Sequence, residues 1–140
     1  MAMQQTSNQY VEIGLGNDRF ALPIQEIHEI IKMQPIIEIP NTPTSLLGVI
    51  NLRGNVIPIV NIHSYLGMPK VPDTKMNRII IVNYEQSMVG IVVDQVIQVT
   101  SYSQIEPLPY GAQHHDGRHA SHVANVQGEL INIISMDQIL

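Results

Sequence analysis

Short stretches of alternating apolar and polar residues dominate the N-terminal part of the chain. In residues 10–15 the large aliphatic side chains occupy every second position. This two-residue period is typical of a half-buried β-strand. Residues 16–18 are Gly-Asn-Asp, which have turn chemistry, so the pattern predicts a hairpin with residues 19–22 as its returning strand.

The segment after Pro23 supports two interpretations. Its isoleucines at positions 24, 27, 30 and 31 have helical spacing, whereas residues 27–33 suit a strand equally well. Pro23 and Pro35 leave little room for a helix. We therefore expect one helical turn over residues 24–26 that leads into a strand.

The clearest hairpin signal lies in residues 49–62. Two apolar runs, residues 49–52 and 56–62, are joined by Arg53-Gly54-Asn55, which places Arg53 at the hairpin tip.

A short helix is expected just before this hairpin, over residues 41–48. Thr42 can act as its N-cap, Pro43 suits the first helical position, and Gly48 suits the position after the last helical residue.

Two more hairpins are predicted in the second half of the chain. The first pairs residues 77–83 with 88–94, and the second pairs residues 123–126 with 130–134 around Gln127-Gly128. A last helical turn is expected near the C-terminus. Nine or ten short strands with turns at short intervals predict an all-β barrel or sandwich rather than βαβ units.

Composition and charge narrow the classes of function. Hydrophobic residues make up 44% of the 140 residues and charged residues 14%, which predicts a folded domain with only residues 1–7 disordered. The net charge is −5 and the Lys and Arg residues are scattered, which argues against a nucleic-acid partner. With no cysteine, no apolar leader and no long apolar stretch, we expect a cytoplasmic protein that is not inserted in a membrane.

Catalytic motifs find little support. Residues 14–18 contain two glycines, but this segment lacks the third glycine and the following helix that a dinucleotide-binding motif needs. Asp94 has no evident acid–base partner and is expected to anchor the turn that follows it. His28 and His63 are expected on strand surfaces. The chain is therefore predicted not to be an enzyme.

One loop suggests metal chemistry. Residues 113–122 contain four histidines, with Asp116 among them. They are His114, His115, His119 and His122. Their three- and four-residue spacings would bring ligands together on a helix, but Gly117 and the lack of apolar periodicity oppose one. We favour a solvated loop and no metal site; a metal-binding β-barrel that uses this loop is the alternative.

Three ordered segments resemble the CheW family of chemotaxis coupling proteins. The first is Asn41-Thr42-Pro43 followed by Gly48-Val49-Ile50-Asn51-Leu52-Arg53-Gly54 and Ile57-Pro58-Ile59-Val60. The second is Val89-Gly90-Ile91-Val92-Val93-Asp94, and the third is Ile105-Glu106-Pro107-Leu108-Pro109. The similarity runs from about residue 10 to residue 140, and three segments in register make chance similarity improbable.

The resemblance implies an all-β fold of two SH3-like five-stranded β-barrels packed around a shared apolar core. We expect a single CheW-like domain over residues 8–140. The first barrel would hold roughly residues 8–66 with the C-terminal residues, and the second roughly residues 67–122.

The resemblance also implies a non-catalytic adaptor without a cofactor. Proteins of this family couple chemoreceptors (methyl-accepting chemotaxis proteins) to the histidine kinase CheA. The expected partners are the cytoplasmic tip of a receptor and the regulatory domain of the kinase, with the second barrel as the main kinase contact. The alternative within the family is an adaptor for a receptor pathway other than flagellar chemotaxis.

Five residues fall at positions that the family uses at or near its receptor and kinase contacts. Arg53 occupies the position of the functionally critical arginine in Asn-Leu-Arg-Gly, and the others are Ile27, Glu29, Gly48 and Val99. Taken without the resemblance, Arg53 is a solvated turn residue and Glu29 a solvated surface residue. Ile27 suits the core and an exposed anchor for a receptor helix about equally.

Overall fold

The computed structural model describes residues 9–69, 72–107 and 122–139, and β-strands dominate them. The strands are β1 Gln9–Leu15, β2 Asp18–Pro23, β3 Ile27–Lys32, β4 Leu46–Leu52, β5 Asn55–Val60, β6 Arg78–Tyr84, β7 Ser87–Val93, β8 Gln95–Ser101, β9 Ile105–Pro107, β10 His122–Val126 and β11 Glu129–Ile133. A 3-10 turn spans Ile24–Glu26, and two short helices are α1 Ile62–Tyr65 and α2 Met136–Ile139. The predicted mainly-β fold is confirmed, as are the predicted hairpins and the helical turn before β3.

The strands form two sheets. The first sheet has six strands in the order β8-β1-β2-β11-β10-β9, and the second has five in the order β3-β6-β7-β5-β4. Neighbours are antiparallel except for two short parallel pairings, β2 with β11 and β5 with β7. The chain passes between the sheets at the 3-10 turn and again at Asp94, between β7 and β8.

The strand pairing divides the chain differently from the expected barrel bounds. The segment of residues 27–60, expected in the first barrel, pairs with β6 and β7. Strand β8, expected in the second barrel, pairs with β1 over six residue pairs. The hairpin patterns predict which neighbouring segments pair, but the long-range pairings that assemble a sheet leave no local signal.

A shared core joins the two sheets. It contains Ile13, Leu15 and Leu22 from the first sheet together with Ile80 and Val93 from the second, all fully buried. Each sheet also has a smaller apolar cluster of its own. The aliphatic side chains predicted to face inward therefore supply most of the hydrophobic stabilisation.

The expected helix over residues 41–48 is wrong. The Thr42 hydroxyl donates to the carbonyl of Ile39, 2.9 Å away, and Gly48 lies inside β4 rather than after a helix. A segment this short gains little as an isolated helix, and capping residues such as Thr also suit turns. Pairing with β5 offers the backbone more hydrogen bonds, so the strand begins at Leu46.

Several sequence-based expectations lie outside the described residues. They are the disordered N-terminus over residues 1–7 and the three histidines His114, His115 and His119. His122 is described and begins β10.

Candidate protein-binding surface

Arg53 occupies a two-residue turn between β4 and β5. Its φ is 50° and that of Gly54 is 87°, so both residues are left-handed, as in the tight hairpin turns whose twist matches the flanking strands. The amide of Gly54 donates to Asn51 Oδ1 at 3.0 Å, which closes the turn. The turn lifts the Arg53 side chain into solvent, where it is 65% exposed.

Glu29 lies on β3 and forms an ion pair with Arg53. Strands β3 and β4 are the two edges of the second sheet. A second link between these edges is a bridge just after β3, in which Ile37 and Val49 exchange backbone hydrogen bonds of 2.8 and 2.9 Å. The sheet therefore curls until its edges meet, and this curl brings Glu29 to the hairpin tip.

Ile27 packs against the shared core and is only partly exposed. The exposed isoleucine of β3 is Ile30, on the alternate position of the same strand. The structure thus supports the core interpretation of Ile27 and offers Ile30 as the apolar residue that sequence reasoning missed.

Gly48 is buried where the chain closes the second sheet. Its φ is 148°, and a Cβ atom there would lie 2.3 Å from the carbonyl oxygen of Ile37. No side chain fits at that distance, so Gly48 permits the close approach of residue 37 to β4. Its contribution to any binding surface is indirect.

Val99 belongs to the other sheet, on its edge strand β8. It is 53% exposed, and Ile97 on the same strand is also exposed. Gln98, next to Val99, points to the opposite face, where its amide donates to Glu12. The structure therefore brings Arg53 and Glu29 into contact, and places Val99 on a separate strand.

An apolar strip not found from the sequence runs across the outer face of β4 and β5. Ile37, Val49 and Pro58 are in register across it, so their side chains share one face, and Val56 is two residues along from Pro58. Ile37 and Val56 are 61% and 67% exposed, respectively. We call these four residues the β4–β5 strip. Contiguous exposed apolar surface is a mark of protein interaction sites.

His63 and Asp94 connect the two sheets at the rim of the shared core. His63 is 4% exposed, which corrects the expectation of a strand-surface residue, and its Nε2 lies 3.1 Å from Asp94 Oδ1. Asp94 Oδ2 accepts from the amide of Gly16 in the β1–β2 turn. The Asp94 side chain therefore links the β1–β2 turn to α1, whereas the sequence predicted that it anchors the turn that follows it. His63 lies in α1, and the side chain of Asn61 caps this helix by accepting a hydrogen bond from the amide of Ser64.

The polar interior of the first sheet centres on Glu12, which is 1% exposed. Its carboxylate accepts hydrogen bonds from Arg19 at 2.7 Å, Tyr102 at 3.0 Å and Gln98 at 3.1 Å. Burial, and then the hydrogen bond to Glu12, raise the pKa of the Tyr102 hydroxyl. These groups border a polar cavity of about 610 Å³. The carboxylate is fully partnered by this network, which is the usual condition for a buried charge.

The described residues contain neither a cluster of metal ligands nor a membrane-spanning helix. No group of three or more His, Cys, Asp or Glu side chains within residues 9–69, 72–107 and 122–139 is arranged to hold a metal ion. In the same part of the chain, no helix has the length and apolarity needed to cross a membrane.

The two sheets and their shared core define a β-domain, and an apolar strip is exposed on its second sheet. The family model for the CheW-like domain matches residues 9–140, and the chain belongs to this family of chemotaxis scaffold proteins. The family is non-catalytic.

Similar proteins agree with this assignment. The chain is 32% identical over 127 residues to the chemotaxis protein CheW of Rhizobium meliloti, covering 89% of this chain and 82% of that one. It is 28% identical over 135 residues to the chemotaxis protein CheW of Helicobacter pylori, covering 94% and 81%. The crystal structure of the scaffolding protein TtCheW from Thermoanaerobacter tengcongensis superposes with a TM-score of 0.83 at 32% identity, covering 91% of this chain and 88% of that one.

Proposed function

We propose that this protein is a cytoplasmic adaptor that couples the tips of chemoreceptors to a CheA-type histidine kinase. The observation that carries the proposal is Arg53, held in solvent at a tight turn of a chain that belongs to the CheW-like family. A guanidinium in this position can make planar, two-point contacts with carboxylates or carbonyls of a partner.

The proposed receptor contact uses Arg53 and Glu29, with Val99 as an apolar anchor. Glu29 orients the guanidinium while most of the Arg53 side chain stays in water, so a partner can replace solvent without breaking a buried pair. Ile27 and Gly48 would act beneath this surface, Ile27 through the core and Gly48 through the closure of the second sheet.

The proposed kinase contact is made by the edges and outer faces of the sheets. The regulatory domain of the kinase is itself CheW-like, so the contact would join one β-domain to another. The β4–β5 strip supports an apolar contact of this kind on the second sheet. The second barrel expected from the sequence, the predicted main kinase contact, supplies β6 and β7 to the same sheet.

An adaptor with two such surfaces acts through binding equilibria. Receptor and kinase would each bind with an affinity that depends on the state of the other, and no bond of a substrate changes. We further propose that residues 8–140 act as a single CheW-like domain at receptor arrays on the membrane, without a nucleic-acid partner and without a resident cofactor.

The test is a pull-down with the regulatory domain of the kinase and a receptor tip fragment. Wild type should capture both, and Arg53→Glu should lose the receptor fragment. Lys75→Glu reverses another exposed cation, outside the proposed receptor contact, and should capture the receptor fragment as wild type does. If the wild-type protein fails to capture one or both partners, the adaptor proposal is wrong. Circular-dichroism melts of the variants separate lost binding from lost folding.

A second candidate is an adaptor in a related receptor pathway other than flagellar chemotaxis. It is favoured by a 27% identical relative in Pseudomonas aeruginosa, covering 80% of this chain, that carries the name Protein PilI. Receptor fragments from the two kinds of pathway, offered side by side in the same pull-down, discriminate these candidates. The metal-binding barrel has its own test: sub-micromolar Zn²⁺ affinity with defined stoichiometry in isothermal titration would favour it.

A further inference from the structure

A small cleft opens on the second sheet next to the β4–β5 strip. Its volume is about 180 Å³, and six residues line it. Four are apolar, Met33, Ile36, Leu47 and Val92, and two are acidic, Glu38 and Asp73. Ile36 in the cleft and Ile37 in the strip are consecutive residues, so the two features are neighbours along the chain.

The apolar wall of the cleft belongs to the core of the second sheet. Val92 is buried, and Met33, Ile36 and Leu47 pack against the same cluster while remaining partly exposed. The wall is therefore held in place by the fold, and an occupant would meet a preformed surface. Preformed apolar walls reduce the entropic cost of binding.

The acidic pair determines the chemistry of the occupant. Glu38 and Asp73 are both exposed, so their carboxylates keep contact with water at the cleft. Asp73 also accepts a hydrogen bond from the Asn77 amide at 3.2 Å, which orients it. Lysine and arginine match this arrangement, because their aliphatic stems pack on apolar surface while their charged ends reach carboxylates or water.

The size of the cleft excludes a larger ligand. Sites for drug-sized molecules usually occupy about 300–1,000 Å³. A cleft below that range suits one side chain, and the exposed Ile37 and Val56 of the adjacent strip supply the surface on which the rest of a protein partner can pack.

We propose that this cleft receives a lysine or arginine side chain from a protein that docks on the β4–β5 strip. The preference of the cleft for a basic side chain does not depend on the proposed function. The identity of the partner does: we take it to be the regulatory domain of the kinase, which rests on the proposed function. Glu38 then acts as a residue that selects a basic partner side chain.

The chemistry is tested with a lysine mimic and its uncharged isostere. Methyl spectra of the full chain are titrated with N-acetyl-lysine methylamide and, separately, with N-acetyl-norleucine methylamide. The lysine compound should give saturable shifts at the methyls of Met33, Ile36 and Leu47, and Glu38→Gln should weaken its binding about two- to five-fold. Equal binding of the norleucine compound, or no shift at these methyls, would overturn the proposal.

Docking is tested by the affinity of the kinase regulatory domain for three variants. Glu38→Gln should weaken it about two- to five-fold and Glu38→Lys at least about ten-fold, because like charges then meet in the cleft. Asp18→Asn, which neutralises an exposed carboxylate at the start of the inner strand β2 in the other sheet, should bind as wild type does. Unchanged affinity of Glu38→Lys overturns the cleft proposal and leaves the adaptor function standing. No kinase binding by wild type overturns the adaptor function, and the lysine titration still decides the chemistry of the cleft.

Discussion

Arg53 and Glu29 form an ion pair although they come from opposite edges of one five-stranded sheet. The pair exists because the sheet curls until β3 and the β4–β5 turn meet. Both side chains keep contact with water, and an exposed pair of this kind contributes less than about 1 kcal/mol to stability. The pair therefore reports the closure of the sheet and holds it only weakly.

Removal of Arg53 should impair binding and spare the fold. Arg53→Ala should change the free energy of unfolding by less than about 1 kcal/mol, whereas the affinity for a receptor tip fragment should fall about ten-fold or more, as for an arginine at the centre of an interface. Urea unfolding and co-sedimentation measure the two effects. The double variant Arg53→Glu with Glu29→Arg retains an ion pair and should still fail to bind. Recovery of binding in that double variant would mean that the pair serves the fold alone.

Gly48→Ala should destabilise the second sheet severely. The added Cβ would lie 2.3 Å from the Ile37 carbonyl oxygen, and relief of this clash breaks the bridge that closes the sheet. We expect a loss of about 3 kcal/mol or more, measured by urea unfolding. Gly54→Ala is the control, since it also has positive φ but nothing lies within 4 Å of its added Cβ; its cost should stay near 1 kcal/mol. Equal losses for the two variants would contradict this account.

Arg19→Ala should be costly because it leaves Glu12 buried without its cation. Removal of one partner from a buried ion pair typically costs about 3–5 kcal/mol, and the partial exposure of Arg19 places this site at the lower end of that range. Urea unfolding measures the loss. The exposed second partner of Arg19 provides the control: Glu129→Gln should cost less than about 1 kcal/mol. A loss below 1 kcal/mol for Arg19→Ala would show that water reaches Glu12.

Glu26→Gln should make the protein more stable at neutral pH. Burial raises the pKa of the Glu26 carboxyl, although the amide of Met136, which donates to its Oε1 at 3.1 Å, opposes that shift. Because the pKa is higher in the folded than in the unfolded chain, ionised Glu26 subtracts stability above its folded pKa. That penalty disappears as the pH falls through the folded pKa toward the unfolded one.

The Glu26→Gln variant has an uncharged side chain and still presents an oxygen to the Met136 amide. Its stability advantage in urea unfolding should be largest at pH 7 and should vanish below about pH 4, where unfolded glutamates are also protonated. Glu106→Gln, at an exposed position, should show no comparable advantage. An advantage for Glu26→Gln that is equal at both pH values would assign the effect to packing instead of charge.

Sequence patterns predicted the elements well where a hairpin has its own turn residues. The 3-10 turn before β3 and the hairpin tips at Arg53-Gly54 and Gln127-Gly128 lie where Pro and Gly signals indicated them. Helix signals were less reliable. Thr42 and Pro43 predict a helix where the chain forms a turn, whereas the apolar run of residues 56–62 predicts a strand up to Ile62, the residue at which α1 begins. In both places the segment has only three or four residues, which carry too little periodicity to distinguish a helix from a turn or a strand.

The sequence indicated which residues belong to the candidate surface. The structure showed which of them are in contact. The family resemblance singled out Arg53 and Glu29, but nothing in the local sequence indicated that they touch. The sequence also did not predict the exposure of Ile30, the β4–β5 strip or the acidic cleft. The local sequence around an apolar residue is the same whether another part of the structure covers that residue or leaves it in solvent.

By itself the sequence determined an all-β chain of short hairpins, with Arg53 at the tip of one of them, because turn chemistry and a two-residue period act over a few neighbouring positions. Only the tertiary structure decided that residues 27–60 join β6 and β7, that His63 is buried against Asp94, and that Arg53 meets Glu29. Those relations depend on long-range pairing and on the curl of the second sheet, and they arise only when distant segments bury their apolar faces together.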